Sequence, residues 1–234
     1  MKYMGSKNRY ADELLKIILP HRNGRAWVEP FVGGCNMIDK VDGERYANDN
    51  NEYLINMWRA VQDGWIPPNN ISEEEYQKIK NNPDPENPLY AFVAIGCSYS
   101  GKWWGGYARG KDKDGKERNY CRESRDNILK QAPKLKGVEF SAKNYTGFDN
   151  DFPDNSLIYC DPPYADTTKY KSGFNHTEFW DWCEEMEGKG HYMFVSEYSA
   201  PKNWYSIWEK EVNNSLTKET GAKKGIEKLW VMAK

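Results

Sequence analysis

Residues 25–34, Arg25-Ala26-Trp27-Val28-Glu29-Pro30-Phe31-Val32-Gly33-Gly34, run a short apolar stretch into a carboxylate, a proline and a glycine pair. The apolar part reads as a strand, and the Pro and Gly residues behind it read as the turn that ends it. On its N-terminal side, residues 9–19 space Tyr10, Leu14, Ile17 and Ile18 as a helix does, with Pro20 just past the end. On its C-terminal side a helix is expected over residues 35–41, then a second strand at Arg45-Tyr46-Ala47 that ends in Asn48-Asp49-Asn50. Residues 51–62 place Leu54, Ile55, Trp58 and Val61 on one helical face. Strand, helix, strand, helix in such short order predicts an α/β fold, a parallel sheet wrapped by helices.

The pattern breaks after Gly64. Prolines 67, 68, 83, 85 and 88 mark linkers around a short helix at Ser72 to Lys80, where Ser72 and Glu75 have the spacing of a capping box. Residues 89–97 read as a buried helix or strand. From Gly101 to Lys136 the chain is polar and basic, with eleven Lys and Arg against five Asp and Glu in a protein whose net charge is −2. Alternation resumes with a strand at Val138-Glu139-Phe140-Ser141 and another at 156–160. A helix follows at 176–187, then strands at His191 to Ser196 and Lys228 to Met232. The simplest division is a domain formed by residues 1–64 and 138–234, interrupted by an insert at 65–137.

Composition narrows the classes. At 234 residues the chain buries a full core. It has no run of 18 apolar residues, and its basic N-terminus has no apolar stretch behind it, so a soluble cytoplasmic protein is expected, with no membrane partner. The five cysteines (35, 97, 121, 160, 183) include no CxxC pair, and with only three histidines neither a disulfide framework nor a metal site is expected.

The strand at 156–160 runs into Asp161-Pro162-Pro163-Tyr164. Each proline lacks an N–H and fixes its φ, so the pair stiffens the turn and holds Asp161 beside backbone carbonyls with few local donors. Tyr164 adds a flat face. Such a cluster grips a planar, amine-bearing group by stacking and by accepting its hydrogens. Standing alone, the tetrapeptide favours a Pro-rich turn capped by Asp, and its company in the chain decides. Glu-Pro-Phe-Val-Gly-Gly occupies the place where open parallel sheets bind ligands, at a strand's carboxyl end. It lacks the full GxGxxG pattern, and Glu29 repels phosphate but suits a cofactor bearing positive charge. Asp49, at the end of the next strand, stands where an acidic group accepts ribose hydroxyls. Singly, Gly33-Gly34 reads as a turn and Asp49 as a helix cap; in order they point to a nucleoside-type cofactor.

Together with Lys2-Tyr3-Met4-Gly5-Ser6-Lys7 at the N-terminus, the set EPFVGG, Asn48-Asp49 and DPPY is similar to the DNA adenine methyltransferases of the Dam type, often carried by phages. The resemblance covers nearly the whole chain. It implies a Rossmann-like methyltransferase sheet with an inserted small target-recognition domain, S-adenosylmethionine as cofactor, and double-stranded DNA as partner, bound by a monomer or weak dimer. It places Tyr3 against the cofactor adenine, with Gly5 and Lys7 in the N-terminal motif. Glu29, Pro30, Phe31, Gly33 and Gly34 would line the methionine end, and Asp49 the ribose. Asn144-Tyr145 falls where the family contacts the adenine, with asparagine in place of the usual carboxylate. Ser196-Glu197-Tyr198 resembles an element beside the target-base pocket.

The chemistry of DPPY follows from its residues. The N6 amine of adenine is a poor nucleophile because its lone pair is delocalised into the ring. Accepting its hydrogens with the Asp161 carboxylate and the Pro162 carbonyl localises that pair and stabilises the positive charge that develops on nitrogen. Pro163 stiffens the turn, and Tyr164 stacks on a base turned out of the duplex. In the insert, residues 96–110 interleave aromatics, glycines and basic groups, which suits phosphate contact and a wedge against bases. Lys102, Trp103, Arg109, Arg118, Arg122 and Arg125 are the expected DNA contacts, while Trp103 and Trp104 equally read as pins that hold the insert to the core. Residues 211–225 read as a hairpin loop near DNA. Three alternatives stand beside this reading: an RNA amino-methyltransferase, which residue type does not exclude; a protein-glutamine one, against which Asp161 counts because those enzymes usually show asparagine there; and a DNA-binding protein on the same scaffold without turnover, against which the intact EPFVGG, Asp49 and DPPY count.

Overall fold

In the parallel part of the sheet, successive side chains of one strand serve two different cores. The computed structural model describes residues 1–164, 174–213 and 224–233. In β1 (Trp27–Glu29), Trp27 joins one hydrophobic cluster and Val28 the other, and in β4 (Leu157–Cys160), Leu157 and Tyr159 face the first while Ile158 and Cys160 face the second. Strands covered on both faces carry near-continuous apolar sequence, which is why these two read so plainly. Helices α1 (Ala11–Ile18) and α2 (Glu52–Gln62) pack on the first face through Leu14, Ile18, Leu54 and Trp58. The helix His176–Gly188 covers the second face through Phe179, Trp180, Cys183 and Met186.

Seven strands form the sheet. With β2 (Arg45–Asn48), β3 (Val138–Ser141), β5 (Tyr192–Glu197), β6 (Trp204–Asn213) and β7 (Lys224–Met232), the order is β3-β2-β1-β4-β5-β7-β6. The first five are mutually parallel, and β7 runs antiparallel to both β5 and β6. The Rossmann-like α/β expectation is met. The strand order reverses between β1 and β4, so a crevice opens at the carboxyl ends of those two strands, where ligands bind in such sheets.

The intervening segment holds α3 (Glu73–Lys80), α4 (Pro88–Gly96) and α5 (Tyr120–Gln131). Helix α3 begins with the capping box expected from sequence: the Glu75 N–H donates to Ser72 Oγ at 3.2 Å, and the Ser72 N–H donates to Glu75 Oε2 at 2.7 Å. Residues 89–97 resolve as helix, and α4 buries Ala91, Phe92, Val93 and Ile95 in the same cluster as Trp27 and Trp58. Residues 65–137 therefore share the first core with the sheet rather than forming a core of their own. Arg45 secures the return to β3, donating to the carbonyls of Lys134 and Lys136 at 2.7 Å each.

Three elements depart from expectation: residues 35–41, helix α5, and β6 (Trp204–Asn213), where no strand was expected. Residues 35–41 do not form an α-helix; only a 3₁₀ turn, Ile38–Lys40, is present. Gly33 and Cys35 both have positive φ (47° and 54°), so the chain leaves the glycine turn in a left-handed conformation that an α-helix cannot continue. Helix α5 lies inside the basic segment, where charge hides a face made of Cys121, Ser124, Ile128 and Gln131. The hairpin expected over 211–225 is flanked by paired β6 and β7, whose strands run to Asn213 and from Lys224, and residues 214–223 lie outside the described residues.

Candidate active site

Because β1 to β5 are parallel, the residues following each strand gather along one edge. Glu29 ends β1, Asp49 follows β2, Asn144 and Tyr145 follow β3, Asp161 follows β4, and Glu197 and Tyr198 close β5. Glu29 and Asp161 thus flank the point where strand order reverses.

The glycine turn is built by its neighbours. The Gly33 N–H donates to Asp49 Oδ2 at 3.1 Å, and its carbonyl accepts from Trp58 Nε1 at 3.0 Å. Asp49 Oδ1 accepts from the Asn51 N–H at 3.0 Å, while Asn51, not Asp49, caps α2 by accepting from the Leu54 N–H. Asn48 is fully buried and ties the ends of three strands together. Its amide donates to the Pro30 carbonyl at 3.1 Å and the Lys143 carbonyl at 2.9 Å, and it accepts from the Lys143 N–H at 3.0 Å. Tyr3 lies across the turn: a Cβ added at Gly33 would stand 2.8 Å from the Tyr3 ring, and one at Gly34 would stand 2.7 Å from Tyr3 Cβ. The Tyr3 segment is anchored in turn by the Met4 N–H, which donates to the Gly101 carbonyl at 3.1 Å.

Glu29 is 3% exposed, and Trp27 Nε1 donates to its Oε1 at 2.8 Å. Burial pushes its carboxyl up to about 8, against the opposing effect of the Trp27 hydrogen bond. Burial also raises Asp49, which its two backbone hydrogen bonds partly offset. Two acids that release their protons less readily than usual and a neighbouring aromatic pair, Phe31 and Tyr145 with centroids 5.3 Å apart, complete this half of the site. Asn144 caps a 3₁₀ turn by accepting from the Thr146 N–H, so its side chain is engaged locally.

The other half centres on DPPY. Lys7 is buried and puts its Nζ 2.8 Å from Asp161 Oδ1 and 3.5 Å from Glu227 Oε2, and it stands over the Tyr164 ring at 4.5 Å from the centroid. The Lys7 ammonium also donates to the Gly5 carbonyl at 3.4 Å. Burial opposes the charge on Lys7, but Asp161 and Glu227 together hold its proton more tightly than usual. Burial raises the Asp161 carboxyl, Glu227 adds to the rise, and Lys7 counters it. Tyr164 donates its hydroxyl to Glu227 Oε2 at 2.7 Å and meets Tyr198 edge-on at 4.7 Å. The Ser196-Glu197-Tyr198 element therefore lies beside Tyr164.

Glu227 is the member of this group that sequence reasoning missed. A signal was present: on β7 it shares a strand face with the fully buried Leu229, where period-2 alternation calls for an apolar residue.

The basic residues of the insert are placed differently. Lys102 and Arg122 are exposed. Arg109 pairs with Glu73, Arg118 donates Nε to Glu123 Oε1 at 2.8 Å, and Arg125 donates to the Pro67 carbonyl at 3.0 Å and pairs with Asp126. Ion pairs this open to solvent are weak and exchange readily. Trp103 is half-buried between Tyr53 of α2 and Tyr90 of α4 and so bridges the insert to the core helix, whereas Trp104 packs on Tyr76 and Tyr90 within the insert. Among the described residues no cluster of three or more metal-ligating side chains occurs, and no helix is long and apolar enough to cross a membrane.

A family model described as D12 class N6 adenine-specific DNA methyltransferase matches residues 3–95 and 109–219. The chain belongs to this family. The match takes in the N-terminal motif, the glycine turn, Asp49 and DPPY, and it leaves residues 96–108 between its two parts. Among curated relatives, the modification methylase StsI of Streptococcus sanguinis is 26% identical over 211 residues, 80% of this chain and 32% of that protein. The DNA adenine methylase of Escherichia coli K12 is 24% identical across 100% of this chain and 94% of its own length, and that of Salmonella typhi is 23% identical across 99% and 94%. The chain thus spans about a third of the streptococcal relative and nearly all of the enterobacterial ones. The family is an adenine-N6 DNA methyltransferase family, which carries with it a methyl donor and a DNA substrate.

Proposed function

We propose that this chain moves the methyl group of S-adenosylmethionine to the N6 amine of an adenine turned out of duplex DNA. The observation that carries the reading is the convergence of Asp161 and Tyr164 with Glu29 and Asp49 at the one sheet edge where strand order reverses. The donor set fits that cofactor. Glu29 is a buried acid suited to a cationic aminoacyl end beside Phe31 and the glycine turn, Asp49 retains acceptor capacity for ribose hydroxyls, and Tyr145 offers an aromatic face to an adenine. When bound, the cofactor supplies an electrophilic methyl on a sulfonium.

The chain's own residues do the rest. Asp161 and the Pro162 carbonyl accept the two amine hydrogens and direct the nitrogen lone pair, and the carboxylate stabilises the charge that nitrogen gains. Pro163 keeps the turn stiff, so these acceptors need no reorganisation, and Tyr164 stacks on the extruded base. Residues 65–137 act as the target-recognition region, with Lys102, Arg109, Arg118, Arg122 and Arg125 on phosphates or guanines and Trp103 bracing the loop that carries Lys102.

The test is transfer of labelled methyl from S-adenosylmethionine to unmethylated duplex DNA, with RNA and protein acceptors in parallel and mass spectrometry of the modified nucleoside. Label in N6-methyladenine from DNA supports the reading. Label confined to RNA or protein, or no label at all, sinks it.

Glu29 gives an independent check on the cofactor. Its carboxyl titrates near 8 in the free protein, so at pH 6–7 it carries a proton that a bound ammonium group would expel. Cofactor binding should release about one proton at pH 6–7 and tighten by up to about tenfold per pH unit until pH 8. Calorimetry in buffers of different ionisation enthalpy measures this. Glu29→Gln should abolish the release, and proton release unchanged in that variant would place the cationic end elsewhere.

A further inference from the structure

In this structure the features assigned above to the target base are engaged by the protein's own lysine. The Lys7 ammonium sits 2.8 Å from Asp161, the carboxylate meant to accept the amine hydrogens, and 4.5 Å from the centroid of Tyr164, the ring meant to stack on the base. An ammonium and an exocyclic amine both present N–H donors to that carboxylate, and lone pairs directed at one are not available to the other. The same ammonium has a second carboxylate within reach, Glu227 Oε2 at 3.5 Å, and that oxygen also accepts the Tyr164 hydroxyl at 2.7 Å. We propose that Lys7 is an internal occupant of the target-amine site and that Glu227 receives it when the base arrives, which makes Glu227 a positioning residue for base capture. This rests on the assignment of Asp161 as amine acceptor.

Charge explains why two carboxylates serve one lysine. A lone buried carboxylate needs a counter-ion, and Lys7 supplies it to Asp161 in the resting protein. Two carboxylates and one ammonium leave a net charge of −1. When Lys7 moves to Glu227, that −1 resides on Asp161, opposite the nitrogen that turns positive during transfer. The displacement is short, and the flexible lysine stem permits it without backbone motion. If position 227 were neutral, the net charge would be zero and Lys7 would stay on Asp161.

Rates measured against pH separate this from a purely structural role. The groups facing Asp161 are Lys7 on the N-terminal segment, Glu227 on β7, Tyr164 on its own turn, Tyr159 on β4 and Glu29 on β1. At saturating cofactor, which takes the titrations of Glu29 and Asp49 out of the rate, Lys7 stays charged and both tyrosines stay neutral across the working range, so the acid limb reports Asp161. Removing the like charge with Glu227→Gln should move that limb to lower pH, and removing the counter-ion with Lys7→Met should move it to higher pH.

The deciding experiment is single-turnover methyl transfer to duplex DNA as a function of pH for the wild type, Glu227→Gln, Lys7→Met and the double variant. Glu227→Gln should lower the plateau rate by about tenfold or more. The double variant should recover most of that loss, because no ammonium remains to be received. An acid limb that does not move, or a double variant whose loss is the product of the two single losses, overturns the inference while wild-type transfer upholds the reading beneath it. Absence of transfer by the wild type overturns both. A measurement without variants accompanies it: the ¹⁵N signal of the Lys7 ammonium should shift when duplex containing the target adenine is added to the wild-type protein. A signal that stays in place overturns the handover.

Discussion

Asp161→Ala should lower the rate of methyl transfer by about 10³-fold or more while S-adenosylmethionine binding stays within a few-fold. Asp161 follows β4 on the DPPY side of the reversal point, and its carboxylate is held by Lys7 rather than by the glycine turn or Asp49. Its removal deletes the anionic acceptor that localises the amine lone pair and leaves the residues proposed for the cofactor in place. Losing one partner of a buried pair costs about 3–5 kcal/mol when the other is stranded. Here Glu227 remains beside Lys7 at 3.5 Å, so the stability loss should be smaller than that and the protein should remain folded. Single-turnover transfer at saturating DNA measures the first quantity and calorimetry the second. Transfer within tenfold of wild type would remove Asp161 from the chemistry, and a parallel collapse of cofactor binding would make it a structural residue.

Gly33→Ala should destabilise the protein by about 2–5 kcal/mol and weaken cofactor binding by more than tenfold. Two costs add. Gly33 has φ +47°, a conformation that costs an L-residue about 1–2 kcal/mol, and its new Cβ would stand 2.8 Å from the Tyr3 ring, an overpacking of about 1–3 kcal/mol. The backbone cannot shift freely to relieve this, because the Gly33 N–H is bonded to Asp49 and its carbonyl to Trp58. Displacing Tyr3 instead would loosen the segment that carries Lys7 to Asp161. Denaturant unfolding measures the stability and equilibrium dialysis the binding. Combining Gly33→Ala with Tyr3→Ala should return the steric part of the loss and keep the conformational part. A double variant no better than Gly33→Ala alone would mean that Tyr3 does not press on the turn.

Elements whose signals are local are legible in the chain alone. Strands β1, β2 and β4 are legible because both of their faces are covered, so their apolar runs are unbroken. Helices α1 and α2 show in the spacing of a single buried stripe, and α3 in the reciprocal bonds of Ser72 and Glu75. Motif order was enough to place Glu29, Asp49 and Asp161 at strand ends. Features that depend on residues distant in the chain emerge only on folding. The expected helix at 35–41 yields to the left-handed turn that Tyr3 covers, and α5 buries its weak apolar face against elements remote in sequence. The group formed by Lys7, Asp161, Tyr164 and Glu227 joins the N-terminal segment, the end of β4 and the antiparallel β7. No periodicity links those positions. They meet because β7 pairs antiparallel with β5, which brings the start of β7 to the edge where the parallel strands end, and burial there makes each charge depend on the others.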